Sequence, residues 1–422
     1  MIMTYRYQIL LFFVLFFNLT VSFSQSGKFI VTNQSGVSRK EDPMVIGRDA
    51  LAGFMDLPSD QKLPVVSVGG KEVPSQLDDL NGDGIWDELS FQIDIERNSK
   101  EEVKVKWVSS DKAPYYPRRT LARLGVCGNG DGKFASVAKE FRPESWTARQ
   151  QPARYQMEGP CWENEKVGFR NFFDSRNTNE VLGKVTNQIL LDTLGQRGAN
   201  IYSIGPWGMD VLQSGPTMGL GGIALMHNGL PVPLRNTTAA FYREVSVGPV
   251  RSVLELIYEG WPVGGQNLNV KERISIWAGK FWFKTEVVVT GFTGDKEIAV
   301  GISNLKNSSP AIFQTNNNGF SSLAGHARQS ENADVLGIGL LYSNSIFNGY
   351  GEAPRLTTVP GLDTLSNSYF AKLKIRSGLP VEFLSFAAWE KTDPKFANSR
   401  YFLDLIQEEA DRKEHPLTIS KK

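Results

Sequence analysis

The sequence predicts an all-β protein: a small N-terminal β domain, a large antiparallel β domain and a short C-terminal helix. Three observations carry this. Apolar and polar residues alternate with period two in run after run, the signature of half-buried strands. Aromatic strand formers are abundant, with 25 Phe, 12 Tyr and 9 Trp in 422 residues. Forty Gly and 21 Pro punctuate the runs as turns.

The first 24 residues stand outside the fold. Arg6 precedes the apolar run Ile9 to Phe17, and small residues follow at Ser22 and Ser24. This is the pattern of an export signal, with cleavage expected after Ser24. The mature protein is therefore expected to be periplasmic or extracellular in a Gram-negative bacterium. The export context permits a disulfide between Cys127 and Cys161.

Residues 26 to 110 read as the small domain. Lys28 to Val31 is a strand, and Pro64 to Val68 runs into a Gly69-Gly70 turn with Val73 to Leu77 beyond it, a hairpin pattern. Glu88 to Ile95 and Val103 to Trp107 alternate as half-buried strands, and a Ser/Asp/Pro stretch at 109–114 reads as a linker. Residues 115 to 413 read as the large domain. Its strands include Arg251 to Glu259, Lys271 to Trp277, Phe281 to Thr290, Val335 to Tyr342 and Tyr369 to Ile375, which together indicate a sandwich or barrel. A helix is expected from Tyr401 to Arg412, capped by Asn398 or Ser399 and stopped before Pro416.

Composition narrows the function. Lys plus Arg is 46 against 45 Asp plus Glu, for a net charge of +1, which argues against a nucleic-acid binder working through a broad basic surface. Three His and two Cys nearly exclude a Cys/His zinc site. No motif requires a cofactor. The one metal candidate is Asp79-Leu-Asn81-Gly-Asp83-Gly, with Asp87 and Glu88 following, where oxygen ligands recur at calcium-loop spacing but Ser90 stands where a final acidic ligand is expected. The alternative is a hairpin loop whose Asp side chains bond its own backbone. Any calcium is expected to be structural.

The stretch Glu158 to Asn177 is the richest in groups that recognise sugars. If residues 162–172 form one strand, Trp162, Asn164 and Arg170 share a face, and Glu163 lies on the other. Trp162 and Trp207 are candidate stacking platforms. Asn164, Arg170, Arg176 and Asn177 are candidate binding groups, and an Arg fork would suit a uronate carboxylate. Glu163, Asp174 and Asp210 are candidate acids or nucleophiles, Lys184 and His326 candidate bases, with His326 expected in a loop. The opposing reading is an ion-pair network that holds two sheets in register.

Trp162-Glu-Asn-Glu165, Gly168-Phe-Arg170, Asp174-Ser-Arg-Asn177, Gly183-Lys184, Trp207-Gly-Met-Asp-Val-Leu212 and Ala388-Trp-Glu390 together resemble the family catalogued as domain of unknown function 4861, over roughly residues 40–410. The large domain also resembles the β-supersandwich of galactose-mutarotase-like and polysaccharide-lyase proteins. The resemblance implies an exported protein of glycan-degrading bacteria, associated with pectin and uronate processing. The expectation is a carbohydrate-active protein on an acidic plant or algal glycan. It would act as a lyase, with Arg170 or Arg176 and Asn164 neutralising a uronate, or as a hydrolase using two carboxylates. The rival is a non-catalytic glycan-binding or structural partner protein, with an oligo- or polysaccharide as ligand in either case.

Overall fold

The computed structural model describes residues 26–58, 62–143, 153–304, 306, 310–315, 319–355 and 365–422. The export signal expected over residues 1–24 lies outside the described residues.

The chain forms two β sandwiches joined by a polar seam. In the small one, a five-stranded sheet runs in the order Thr418–Lys421, Ser26–Asn33, Ser99–Val108, Leu63–Val68, Lys71–Val73. It faces a three-stranded sheet, Arg39–Gly47, Glu88–Ile95, Ser75–Asp78. Phe29, Val31, Val103, Val105 and Trp107 from one sheet meet Met44, Ile46, Leu89, Phe91 and Ile93 from the other. The Gly69-Gly70 turn forms as expected, both glycines having positive φ (55° and 83°), so that Val68 pairs with Lys71. The return strand stops at Val73, and after Pro74 the chain crosses to the other sheet as Ser75–Asp78. The last strand was not foreseen: Thr418–Lys421 pairs antiparallel with Ser26–Asn33 and ties the C-terminus back to the small sandwich.

Glu88–Ile95 corrects the half-buried expectation. Its polar residues Ser90 and Gln92 are buried as well as its apolar ones. The reason is the seam. Gln92 Nε2 donates to Ala278 O (2.9 Å), and Gln76 Oε1 accepts from the Val250 and Arg251 N–H groups (3.1 and 3.0 Å). Asp78, wholly buried, accepts from Arg251, Ser246 and Ser90. Gln76, Asp78 and Gln92 thus find partners on the other sandwich, which offsets much of their desolvation.

The large sandwich has a nine-stranded sheet ordered Lys139–Pro143, Ala239–Val247, Arg251–Val263, Gln266–Trp277, Trp282–Thr290, Pro380–Trp389, Leu336–Ser343, Phe320–Ala327, Ile312–Thr315. One core unites it with two five-stranded sheets. The first is Leu230–Pro233, Leu220–His227, Asp295–Ser303, Ser368–Arg376, Phe347–Glu352; the second is Gly208–Asp210, Asn179–Lys184, Val167–Asn171, Cys161–Asn164, Thr120–Arg123. All pairings are antiparallel.

The helix Ser399–Glu414 covers the other face of the nine-stranded sheet. Asn398 caps it, its side chain accepting from Arg400 N (2.9 Å). Phe402, Ile406 and Ala410 fall at helical spacing and pack with Leu341, Leu384, Phe386 and Ala388. Gly337 permits the approach, because a Cβ there would stand 2.7 Å from the Phe402 ring.

Candidate functional site

The stretch singled out by the sequence folds as a hairpin rather than one strand. Cys161–Asn164 pairs with Val167–Asn171, with Trp162 opposite Phe169 and Cys161 opposite Arg170. Asn164 makes the turn: its Oδ1 accepts from Lys166 N and Val167 N (2.7 and 3.0 Å), and its Nδ2 donates to Trp277 O and Lys280 O (2.6 and 2.7 Å). The amide is fully used inside the protein, so Asn164 is a turn residue and not a ligand group. Trp162 is also corrected. It is fully buried, packed on Phe169 and edge-on to Phe283, with no face open to a sugar ring.

Arg170 is 1% exposed and forms the hub of the first charge network. It donates to Glu180 Oε2 through Nε and Nη2 (3.1 and 2.6 Å) and to Met157 O (3.1 Å). Asp210 Oδ2 lies 2.8 Å from Nη2, although off the line of a well-directed hydrogen bond. Glu180 Oε1 accepts from Ser214 N and Oγ (2.7 and 2.8 Å). Burial holds the Asp210 carboxyl well above the usual carboxylate range, with Glu180 reinforcing and Arg170 opposing the shift. Arg170 and Asp210 are thus out of reach of a substrate.

The second network is smaller. Lys184 Nζ donates to Glu163 Oε2, Asn164 O and Gln188 O (2.5, 2.8 and 2.5 Å), using all three protons. Glu163 Oε1 accepts from Leu190 N and Leu191 N (2.5 and 2.6 Å). Burial lowers the pKa of Lys184. Both groups are buried, so neither serves as an acid or base for a ligand. Asn177 donates to Leu234 O and accepts from Arg142, a buried structural role. Trp207 is half-buried against Leu121, Met157 and Leu182. His326 lies on the strand Phe320–Ala327, not in a loop; its ring stacks on Phe402 of the helix and its Nε2 lies 2.8 Å from Phe396 O.

The edge of the first network reaches solvent. Arg176 pairs with Asp174 (2.5 Å) and Glu158 (2.7 Å), its guanidinium lying 3.4 Å from the Phe172 ring centroid. Glu158 Oε1 accepts from the Tyr202 hydroxyl (3.0 Å), and Arg170 Nη2 donates to the same hydroxyl (3.2 Å). The Tyr202 ring is 44% exposed. Glu158 and Tyr202 line an open cleft of about 530 Å³, with Phe134, Tyr155 and Met157 as apolar wall and Asn200 beside them. Met157 and Glu158 both hold positive φ (50° and 65°), a strained pair of non-glycine residues that aims the Glu158 side chain at the two arginines. Burial, then Glu158, raise the Tyr202 pKa, against the pull of Arg170.

The chain belongs to the family described as domain of unknown function (DUF4861). Its model matches residues 31–419. A comparison with curated proteins finds no match. Among solved structures the chain is similar to an alpha-mannosidase from Enterococcus faecalis V583, at 8% identity and a TM-score of 0.42, covering 94% of this chain and 46% of that one. A protein in the glycosyl hydrolase family 38 from Enterococcus faecalis gives 8% identity and 0.43, covering 94% and 47%. The chain spans about half the length of either.

In this DUF4861 chain, sequence reasoning missed Glu158 and Tyr202 as site residues. Glu158 falls just before Gly159-Pro160, and Tyr202 lies in a glycine-rich loop 32 positions after Arg170 in sequence, so only the fold brings them together. In the Asp79 loop, Asp79 accepts from Gly82 N and Gly84 N (2.6 and 2.8 Å), Asn81 and Asp83 each accept from the N–H two residues on, and Asp87 accepts from Leu80 N (2.7 Å). Arg243 anchors the loop through Leu80 O. Among the described residues no three of His, Cys, Asp or Glu are grouped to hold a metal ion. Cys127 and Cys161 are both buried and free, and burial pushes the Cys161 thiol up to about 12. No helix among the described residues is long and apolar enough to cross a membrane.

Proposed function

We propose that this chain is an exported carbohydrate-active protein that holds a saccharide in the cleft between Glu158 and Tyr202, binding it without cleaving it. The single observation that carries this is the exposed Tyr202 ring. Its hydroxyl is pinned between a carboxylate and a guanidinium, so a rigid aromatic face stands beside fixed hydrogen-bonding groups. Such a face suits a pyranose ring, whose C–H surface stacks while its hydroxyls find polar partners.

Hydrolysis calls for two carboxylates across the scissile bond. Among the described residues that line the cleft, Glu158 is the one carboxylate. Elimination calls for a cation free to neutralise a uronate, whereas Arg170 and Arg176 are both engaged by acids. At the cleft, Arg170 and Arg176 are met by Glu158, Asp174 and Glu180, with the buried Asp210 carboxyl favoured in its neutral form, so acids still outnumber the arginines and the local charge favours a neutral sugar over a uronate. The strained Met157-Glu158 backbone favours a second reading, turnover with Glu158 as acid or base. Calcium in the Asp79 loop would be structural, since that loop is a hairpin tip braced on Arg243.

The test is titration calorimetry of the mature protein against neutral and uronate-containing oligosaccharides, with reducing ends and C4–C5 double bonds monitored in parallel. The proposal expects binding of a neutral oligosaccharide with neither product. New reducing ends or double bonds would establish the enzyme reading instead, and absence of binding across the panel would remove the cleft as a saccharide site.

A further inference from the structure

The outer face of the small sandwich's five-stranded sheet carries a charge imbalance that the chain as a whole does not have. Phe29, Val31, Val103, Val105 and Trp107 point into the core, so the residues alternating with them point to solvent. Among these, Lys28, Lys100, Lys104 and Lys106 are exposed. Lys422, one residue past the closing strand, joins them through Glu102. Against these five ammonium groups the face sets two carboxylates, Glu102 and Glu72. Five against two leaves an excess of three, whereas the net charge of the whole chain is +1. Lys28 also stands directly opposite Lys104 across the strand pair, a like-charge contact that works against the sheet's own stability.

Both carboxylates are engaged. Glu102 is reached by Lys28 (2.7 Å) and by Lys422, and Glu72 at the rim accepts from the Tyr116 hydroxyl (3.0 Å). Lys100, Lys104 and Lys106 have no carboxylate partner among the described residues. One end of the face is apolar: Leu63, 40% exposed, pairs with half-buried Val108, and half-buried Val65 pairs with Lys106. The chain enters the sheet at this end, where Ser26 lies opposite Lys106. Eight residues, 18–25, separate Ser26 from the apolar run Ile9–Phe17, a reach of at most about 30 Å. The outward positions of these strands hold neither arginine nor an aromatic ring. A face of hydrated point charges without forks or stacking platforms has no grip on a single sugar ring, but it suits a continuous anionic surface.

We propose that this face docks the protein peripherally on an anionic phospholipid bilayer, with Lys28, Lys100, Lys104 and Lys106 over the headgroups and Leu63 and Val108 at the apolar end. Charge complementarity supplies the attraction, and the apolar end faces the side from which the chain's own apolar run arrives. The docking is independent of the Tyr202 cleft and holds whether or not that cleft takes a saccharide.

The test is co-sedimentation of the full mature chain with vesicles of phosphatidylglycerol mixed into phosphatidylcholine, against vesicles of phosphatidylcholine alone. Binding to the anionic vesicles is expected at about 0.1 M salt and its loss at about 1 M, where the screening length falls from about 10 to about 3 Å. Each of Lys104→Gln and Lys106→Gln is expected to weaken partition about fivefold, and the double variant about 25-fold. All three changes are at exposed positions and leave the core untouched. Lys374→Gln, an exposed lysine on the large sandwich, should change nothing. Polygalacturonate is titrated in parallel. Vesicle binding lost in the double variant supports the proposal whatever the polymer does. No vesicle binding, equal binding to neutral vesicles, or binding that the double variant leaves unchanged would overturn it. Binding of polygalacturonate through these lysines with no vesicle binding would give the face to an acidic polysaccharide instead.

Discussion

Two regions of this molecule are dense in arginine and carboxylate, and they differ in how the charges are matched. Around the hairpin Cys161–Asn171, Lys184 uses all three protons and every Arg170 nitrogen has an oxygen partner. At the seam, Arg39 Nε and Arg412 Nε are buried without a hydrogen-bond acceptor among the described residues, although Asp42, Glu408 and Glu409 stand around the two guanidinium groups. The cations of the hairpin network are fully engaged, although Asp210 Oδ2, Trp162 Nε1 and Asn171 Oδ1 lack a hydrogen-bond partner among the described residues. An N–H left without an acceptor in the interior carries the cost of its lost hydration. Charge density alone therefore does not mark a binding site, because buried charges are consumed by one another.

The sharpest way to break this comparison is Lys184→Met. It strands the Glu163 carboxylate in the interior, and a loss of about 3–5 kcal/mol is expected in urea unfolding. Near-native stability would show that the network is not structural.

Glu272 offers the next effect. It is buried in the large sandwich, and burial pushes its carboxyl up to about 8 from the usual 4.5, the Tyr258 hydroxyl opposing. The folded state keeps a proton that the unfolded chain releases between these values. Its contribution to stability is thus complete below pH 4.5 and is lost as pH rises through 8. Glu272→Gln removes that loss, so the variant's stability relative to wild type should grow steadily from pH 5 to pH 8. A pH-independent difference would contradict the burial argument.

Tyr202→Ala probes the cleft. Saccharide affinity should fall about tenfold with a stability change within about 1 kcal/mol, because the ring is exposed. Equal losses in both would make Tyr202 part of the structural network. Smallest of all, Asp79→Ala should cost about 1 kcal/mol in chelator, by freeing the Gly82 and Gly84 N–H groups; no change in thermal midpoint would show that the loop does not depend on that carboxylate.

Much of the fold was legible. Alternation placed Glu88–Ile95 and Trp282–Thr290, and the capping Asn398 with Phe402 and Ile406 placed the helix. These signals are local. The closing strand Thr418–Lys421 was not legible, since four exposed or half-buried residues carry little pattern without their partner. The site was read less well. Polar residues between 162 and 184 looked like ligand groups because sequence shows which groups are present but not which are consumed. Arg170 needs Asp210, 40 positions away in sequence, to become a structural residue. Trp162 looked like a platform because a tryptophan's burial is decided by Phe283, more than a hundred positions on.

Arg170→Met tests the central claim most directly, with urea unfolding measured in the absence of any saccharide. The matched-network account predicts a loss of about 3–5 kcal/mol, because Asp210 and Glu180 are left buried without their cation. Wild-type stability together with abolished saccharide binding would contradict it and return Arg170 to the ligand.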